Sequence, residues 1–141
     1  MRIIFLIALL FSTTALMAQK KDSILVVTND SPEHIFTKVD VEASVDRQQW
    51  IDHLTMNLRS VIEKAAKKGM KAGTYIVNVR FLVEKDGSIT DVQALNDPGY
   101  GLAKASVKVL RTGPKWTPGE QNGRKVRSYH TQPITFVIQE A

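Results

Sequence analysis

The chain has 141 residues and not one cysteine. That excludes disulfides, thiolate metal sites and a lipid-anchored N-terminal cysteine, while leaving the compartment open. Histidine is nearly as scarce. His34, His53 and His130 are scattered through the chain with no ligand-like spacing between them. There is no G-x-S-x-G, no phosphate loop and no pair of carboxylates on a common face. Ser106 falls on the buried-looking face of a helix with no base near it in the sequence pattern. These absences argue against an enzyme, and against a bound cofactor, metal or small-molecule substrate. Long apolar runs are missing too, since Ile3 to Phe11 is too short for the roughly 20 residues of a membrane span. The chain has no internal repeat, low-complexity segment or proline-rich spacer.

The charge is +5, with 19 basic and 14 acidic residues. The excess is spread over several segments, without a basic stripe interleaved with aromatic platforms, so nucleic acid is not the expected partner. Lys64, Lys67 and Lys68 cluster at the end of a predicted helix, where cations suit the negative end of the helix dipole.

What the chain does contain is a single domain behind an export signal. Arg2, the apolar run Ile3 to Phe11 and the small residues around Ala15-Leu16-Met17-Ala18 have the layout of a secretory signal peptide over residues 1–18. Cleavage after Ala18 or Ala15 both fit, and an uncleaved anchor is the alternative and the expected source of any membrane contact. The expected location is the periplasm. Residues 19–45 read as an extended leader, with a β-like run from Ile24 to Val27 and a turn at Asn29-Asp30-Ser31-Pro32. The domain occupies residues 46–141.

Asp46, with Gln49 three residues on, predicts a helix start. Ile51, Leu54, Leu58, Val61 or Ile62, and Ala65 then share one face, and Gly69 ends the helix. His53 lies beside that stripe and reads as a surface residue. From Thr74 to Glu84 the pattern alternates, with Tyr75, Val77, Val79, Phe81 and Val83 facing one way. Lys85-Asp86-Gly87-Ser88 turns the chain into a returning strand, Ile89 to Leu95. A second helix places Leu102, Ala105, Ser106, Val109 and Leu110 on one face and stops at Gly113-Pro114. Trp116, held between Pro114 and Pro118, reads as a plug of the core with its indole N–H bonded nearby. After the Asn122-Gly123 turn comes the last strand, Val126 to Ile138. Pro133 lacks an amide donor, which puts this strand at a sheet edge, and an edge offers unpaired backbone groups to another chain. The expected fold is α+β, with two helices on one face of a three-stranded antiparallel sheet.

Several of these segments carry a family resemblance. They are the hairpin Val83-Glu84-Lys85-Asp86-Gly87-Ser88-Ile89-Thr90-Asp91-Val92, the block Gly113-Pro114-Lys115-Trp116-Thr117-Pro118-Gly119, the stretch Gln121-Asn122-Gly123-Arg124-Lys125-Val126, and Gln132-Pro133-Ile134-Thr135-Phe136. With them, residues 38–138 resemble the C-terminal domain of the TonB proteins, energy transducers of the Gram-negative envelope, with a particular look of the Bacteroidetes branch. The resemblance implies a domain whose last strand meets an N-terminal peptide of outer-membrane receptors by strand addition, in energy-coupled transport. Carried onto this chain, the contact residues would be Arg127, Ser128, Tyr129, His130, Thr131, Gln132, Ile134, Thr135 and Phe136. The chain also departs from the family pattern. It reads as a stand-alone domain behind a signal, without the usual membrane anchor and long spacer. Val45-Asp46-Arg47-Gln48 stand where Phe-Pro-Gly-Gly is usual. Ala103-Lys104-Ala105 replace acidic residues at the start of the second helix, and Lys104 there opposes the dipole at a cost of about 0.3–1 kcal/mol. A structural or regulatory envelope module that kept the fold without receptor coupling is the alternative reading, with self-association through the edge strand as one form of it.

Overall fold

The computed structural model describes residues 34–140, so the expected signal peptide and the first part of the expected leader lie outside the described residues. The elements in chain order are β1 (Ile35–Phe36), α1 (Arg47–Lys67), β2 (Gly73–Val83), β3 (Ile89–Ala94), α2 (Leu102–Arg111), β4 (Glu120–Gln121), β5 (Arg124–Lys125) and β6 (Arg127–Ile138). The fold is α+β as expected, but the sheet is a mixed four-stranded one in the order β1-β6-β2-β3 rather than three-stranded and antiparallel. The fourth strand, β1, pairs parallel with the start of β6, Ile35 opposite Arg127 and Phe36 opposite Ser128. Two residues carry no readable period, so their pattern could not announce a strand.

The long β2 and β6 pair antiparallel along their whole length, from Gly73 opposite Ile138 to Val83 opposite Ser128. Alternation then sorts the side chains. Val77, Val79, Phe81, Ile134, Phe136 and Ile138 turn to one face and are almost wholly buried beneath the helices. The other face carries no helix.

Helix α1 begins where its cap is. The Asp46 carboxylate accepts a hydrogen bond from the Gln49 amide at 2.9 Å, satisfying one of the free donors of the first turn. Asp46→Ala is expected to destabilise the domain by about 1 kcal/mol, read as a lower urea midpoint with an unchanged slope. The buried stripe differs from the expected one in its first member. Trp50 is 8% exposed and Ile51 43%. Trp50 is drawn inward by an aromatic cluster, its ring centroid 6.0 Å from that of Trp116, which in turn lies 4.9 Å from Phe81. His53 is likewise not a free surface residue. Its Nε2–H donates to the Val109 carbonyl at 2.8 Å, and its Nδ1 accepts from the Asn57 amide at 3.1 Å, tying α1 to α2.

Trp116 plugs the core as expected, at 4% exposure. Its indole N–H, however, has no hydrogen-bond partner among the described residues. The backbone around it is the knot of the fold. Trp116 N donates to the Gly87 carbonyl at the hairpin tip, and Ser44 and Thr117 exchange two backbone bonds. Val41 and Glu120 do the same one turn further on. Residues 39–45 are thus stitched to the corner, with Ala43 buried. The Asn122-Gly123 turn, with φ of 51° and 74°, closes the small β4–β5 ribbon as the sequence implies.

Candidate functional site

Three strands settle which way each backbone group of β6 points. Both main-chain groups of Asn78 are taken on the β3 side, where its carbonyl accepts from Leu95 N and its amide donates to Asn96 Oδ1. The Ile76 carbonyl likewise accepts from Asn96 Nδ2 at 2.8 Å. Even-numbered β2 residues therefore bond toward β3. Their partners on β6, the odd-numbered residues, turn their N–H and C=O groups away from β2. On that side β1 pairs only with Arg127 and Ser128. The parallel register of Phe36 with Ser128 engages the outward groups on either side of Ser128, so β1 also takes the Tyr129 amide. Beyond it, the Tyr129 carbonyl and the outward groups of Thr131, Thr135 and Val137 meet no strand among the described residues. Pro133 belongs to the same outward series, so its missing donor falls on the open side. This is where a proline costs the sheet nothing.

Beside this edge runs a groove of about 410 Å³. Leu54, Leu58 and Ile62 of α1 form its apolar floor, Thr55, Arg59 and Glu63 its rim, and Thr135 its β6 side. The Arg59–Glu63 ion pair, 3.3 Å, spans one turn of α1 at the rim. Edge and groove together make a slot with backbone donors and acceptors along one wall and apolar surface along the other.

The residues named for the site from sequence divide into two sets. Arg127, Tyr129, Thr131 and Thr135 turn their main chain away from β2, with β1 already on Arg127 and on the Tyr129 amide. Ser128, His130, Gln132, Ile134 and Phe136 bond toward β2 and send their side chains to the helix layer. There Ser128, Ile134 and Phe136 are buried, and His130 lies 5.1 Å from Trp116 between centroids. Val137 and the α1 residues of the groove were not in the sequence set. The stripe Leu54, Leu58, Ile62 was visible, but not that β6 is too narrow to cover it all.

A family model described as Gram-negative bacterial TonB protein C-terminal matches residues 63–138. The chain belongs to the TonB C-terminal family. No curated protein matches it. The match starts inside α1 and ends on the last residue of β6, so it contains the whole open edge of this TonB C-terminal domain. No helix among its described residues is long and apolar enough to cross a membrane.

The entrance to the edge in this TonB-family domain is held by charge. Arg127 grips Glu84 with two bonds, Nε to Oε2 at 2.6 Å and Nη2 to Oε1 at 3.1 Å. Such a fork is both strong and directional. The Arg127 hydrogen bond, aided by one from Thr90, holds the Glu84 carboxyl below the usual carboxylate range against the opposing effect of burial. Next along, the Arg80 guanidinium sits 3.9 Å over the Tyr129 ring. The Tyr129 hydroxyl donates to Asp91 at 2.7 Å, and that bond pushes the phenol above its ordinary value. These links lock the outer face of β6 to β2 and β3, so Leu82, opposite Tyr129, is only 3% exposed on a face without helices.

The Glu84 arrangement has a pH signature. A carboxyl whose folded pKa lies below its unfolded one stabilises above the unfolded value and loses that contribution as pH falls through the folded value. Glu84→Gln is expected to cost about 1–2 kcal/mol at pH 7. The gap between variant and parent in thermal unfolding should close as pH drops below about 4. A gap independent of pH would refute the ionic origin.

Proposed function

We propose that this domain binds an extended segment of an outer-membrane receptor by taking it as an added strand on the open side of β6, as a step in energy-coupled transport across the envelope. One observation carries the reading. The outward main chain of Thr131 to Val137 lies beside the apolar α1 groove, unpaired among the described residues. An added strand gains affinity from the backbone ladder and specificity from alternate side chains. The side chains on one face of the incoming segment would enter the groove beside Thr135, and apolar ones fit it. Pro133 offers only its carbonyl, which divides the ladder into stretches on either side of it. The domain acts here as a binding module in the periplasm, without a catalytic step.

The test is an NMR titration of the exported protein with N-terminal peptides of outer-membrane receptors from the same cell. Saturable shifts centred on the amides of Thr131, Thr135 and Val137 are the expected result. A folded protein that gives no shifts with several such peptides would favour a structural or regulatory envelope module. Concentration-dependent shifts of the same amides without peptide would point instead to self-pairing through the edge.

A further inference from the structure

The face opposite the bare side of the sheet has a property that strand capture does not use. Residues Lys104, Lys108 and Arg111 are spaced i, i+4, i+7 along α2, opposite its buried residues Leu102, Ser106 and Leu110. The outward side of α2 is therefore entirely cationic, and the helix contains no acidic residue. Across a shallow cleft of about 230 Å³ stands Lys64 of α1, with Lys108 on the other bank and Asn57, Ser60 and Thr112 between. Lys67 and Lys68 continue the basic surface to the end of α1.

No salt bridge among the described residues compensates these charges. The pairs Arg59–Glu63, Arg127–Glu84 and His130–Glu42 include none of the six cations. Helix ends account for Lys64, Lys67, Lys108 and Arg111, which lie in last turns. They do not account for Lys104. It sits in the first turn of α2, opposed by the dipole, four residues from the like charge of Lys108. The N-cap of that helix is Gly101, which contributes no side-chain bond to offset this. Local stability is given up here to keep a cation facing outward.

From this we infer that the outward face of α1 and α2 is a docking surface for anionic phospholipid headgroups at a membrane surface. Charge complementarity selects an anionic partner. The choice of lipid over an acidic peptide rests on two features. The cations are mostly lysines, compact charges without the planar fork that matches a peptide carboxylate in two places. On α1, Met56 lies on the outward line shared with Ser60 and Lys67 and is 79% exposed. A thioether held out on that line, about two turns before Lys64 and three before Lys67, suits the boundary between headgroups and acyl chains. Bound this way, the domain would lie helices-down, with the edge of β6 at its flank and free for a partner. This surface is independent of the strand-capture reading, since neither depends on the other's residues.

The experiment is vesicle co-sedimentation of the full chain purified from the envelope fraction. Vesicles of phosphatidylcholine alone are compared with vesicles carrying about 30% phosphatidylglycerol, a fraction high enough to set up a negative surface potential. The parent protein is expected to bind the anionic vesicles at least about tenfold more tightly, and to lose that preference in high salt. The double variant Lys104→Glu, Lys108→Glu should lose the preference while melting close to the parent, because the gain from Glu in the first turn at 104 offsets the loss from Glu in the last turn at 108. Lys38→Glu with Lys125→Glu, the same change in net charge placed off the helices, should bind like the parent. Equal losses in the two variants would reduce the effect to net charge and overturn the proposal. So would equal binding to neutral vesicles, or binding to polyglutamate with none to anionic vesicles.

Discussion

Thr135→Pro will weaken binding of a receptor segment by about 30- to 150-fold while leaving the domain folded. The direction of its amide decides both halves of that result. Thr135 pairs with Ile76, whose carbonyl is taken by Asn96 on the far side, so the Thr135 N–H points to the open edge. Proline there removes a donor that the native sheet does not use. Pro133, two residues back in the same outward series, shows that the strand accepts a proline in this orientation. For an added strand the loss is large. One backbone bond disappears, the incoming carbonyl opposite it is stranded, and the ring carbon stands where that oxygen would approach. Together these are worth about 2–3 kcal/mol. Calorimetric titration reads the affinity, and far-UV circular dichroism reads the fold. Gln132→Pro is the companion variant. Gln132 pairs with Val79 in the inward series, so its amide belongs to the ladder with β2. Proline there should unfold the sheet rather than disarm the edge. If Thr135→Pro bound peptide as the parent does, the open side of β6 would not be the contact.

Pro133 also marks how much of the site was legible. A proline inside an alternating run needs a local edge, and that rule holds around Pro133, although β1 covers the start of β6 and makes it an inner strand of the sheet. The Asp46 cap, the Asn122-Gly123 turn and the buried faces of β2 and α2 were readable for the same reason: each is decided within a few residues. The sequence became silent where the deciding partner is distant. The two-residue β1 exists only because Arg127 and Ser128, more than ninety positions on, leave their outer side open to it. Residues 39–45 read as leader, yet they are held by Thr117, Glu120 and Gln121. Trp50 displaced Ile51 from the buried stripe because Trp116 supplies a ring to meet it. The groove was hidden for a related reason. Leu54, Leu58 and Ile62 announce an apolar stripe, but how much of it the sheet covers depends on where β6 ends laterally, which no local pattern encodes.

The strongest long-range constraint stands at the hairpin tip, and Gly87→Ala should destabilise the domain by about 3–5 kcal/mol. From sequence Gly87 is the second residue of an Asp-Gly turn, needed for its positive φ, and φ is indeed +84°. That alone would cost an alanine about 1–2 kcal/mol. The rest comes from packing. A Cβ at Gly87 would lie 2.1 Å from the carbonyl oxygen of Trp116 and 3.3 Å from its carbonyl carbon. The obstacle is backbone, and that backbone is pinned, because Trp116 N donates to the Gly87 carbonyl at 3.0 Å while Thr117 is bonded to Ser44. Neither side can give way without breaking the bonds that join the hairpin to the corner. Gly123→Ala separates the two contributions. Its φ is +74°, and nothing lies within 4 Å of the added Cβ, so only the conformational cost applies. Urea unfolding of the two variants should therefore differ by about 2–3 kcal/mol. Equal costs would mean that the tip moves freely over Trp116. The motif Lys85-Asp86-Gly87-Ser88 would then be a turn and nothing more. A large difference would instead make it half of a joint, with Gly113 to Gly119 as the other half, both inside the stretch that the family model matches.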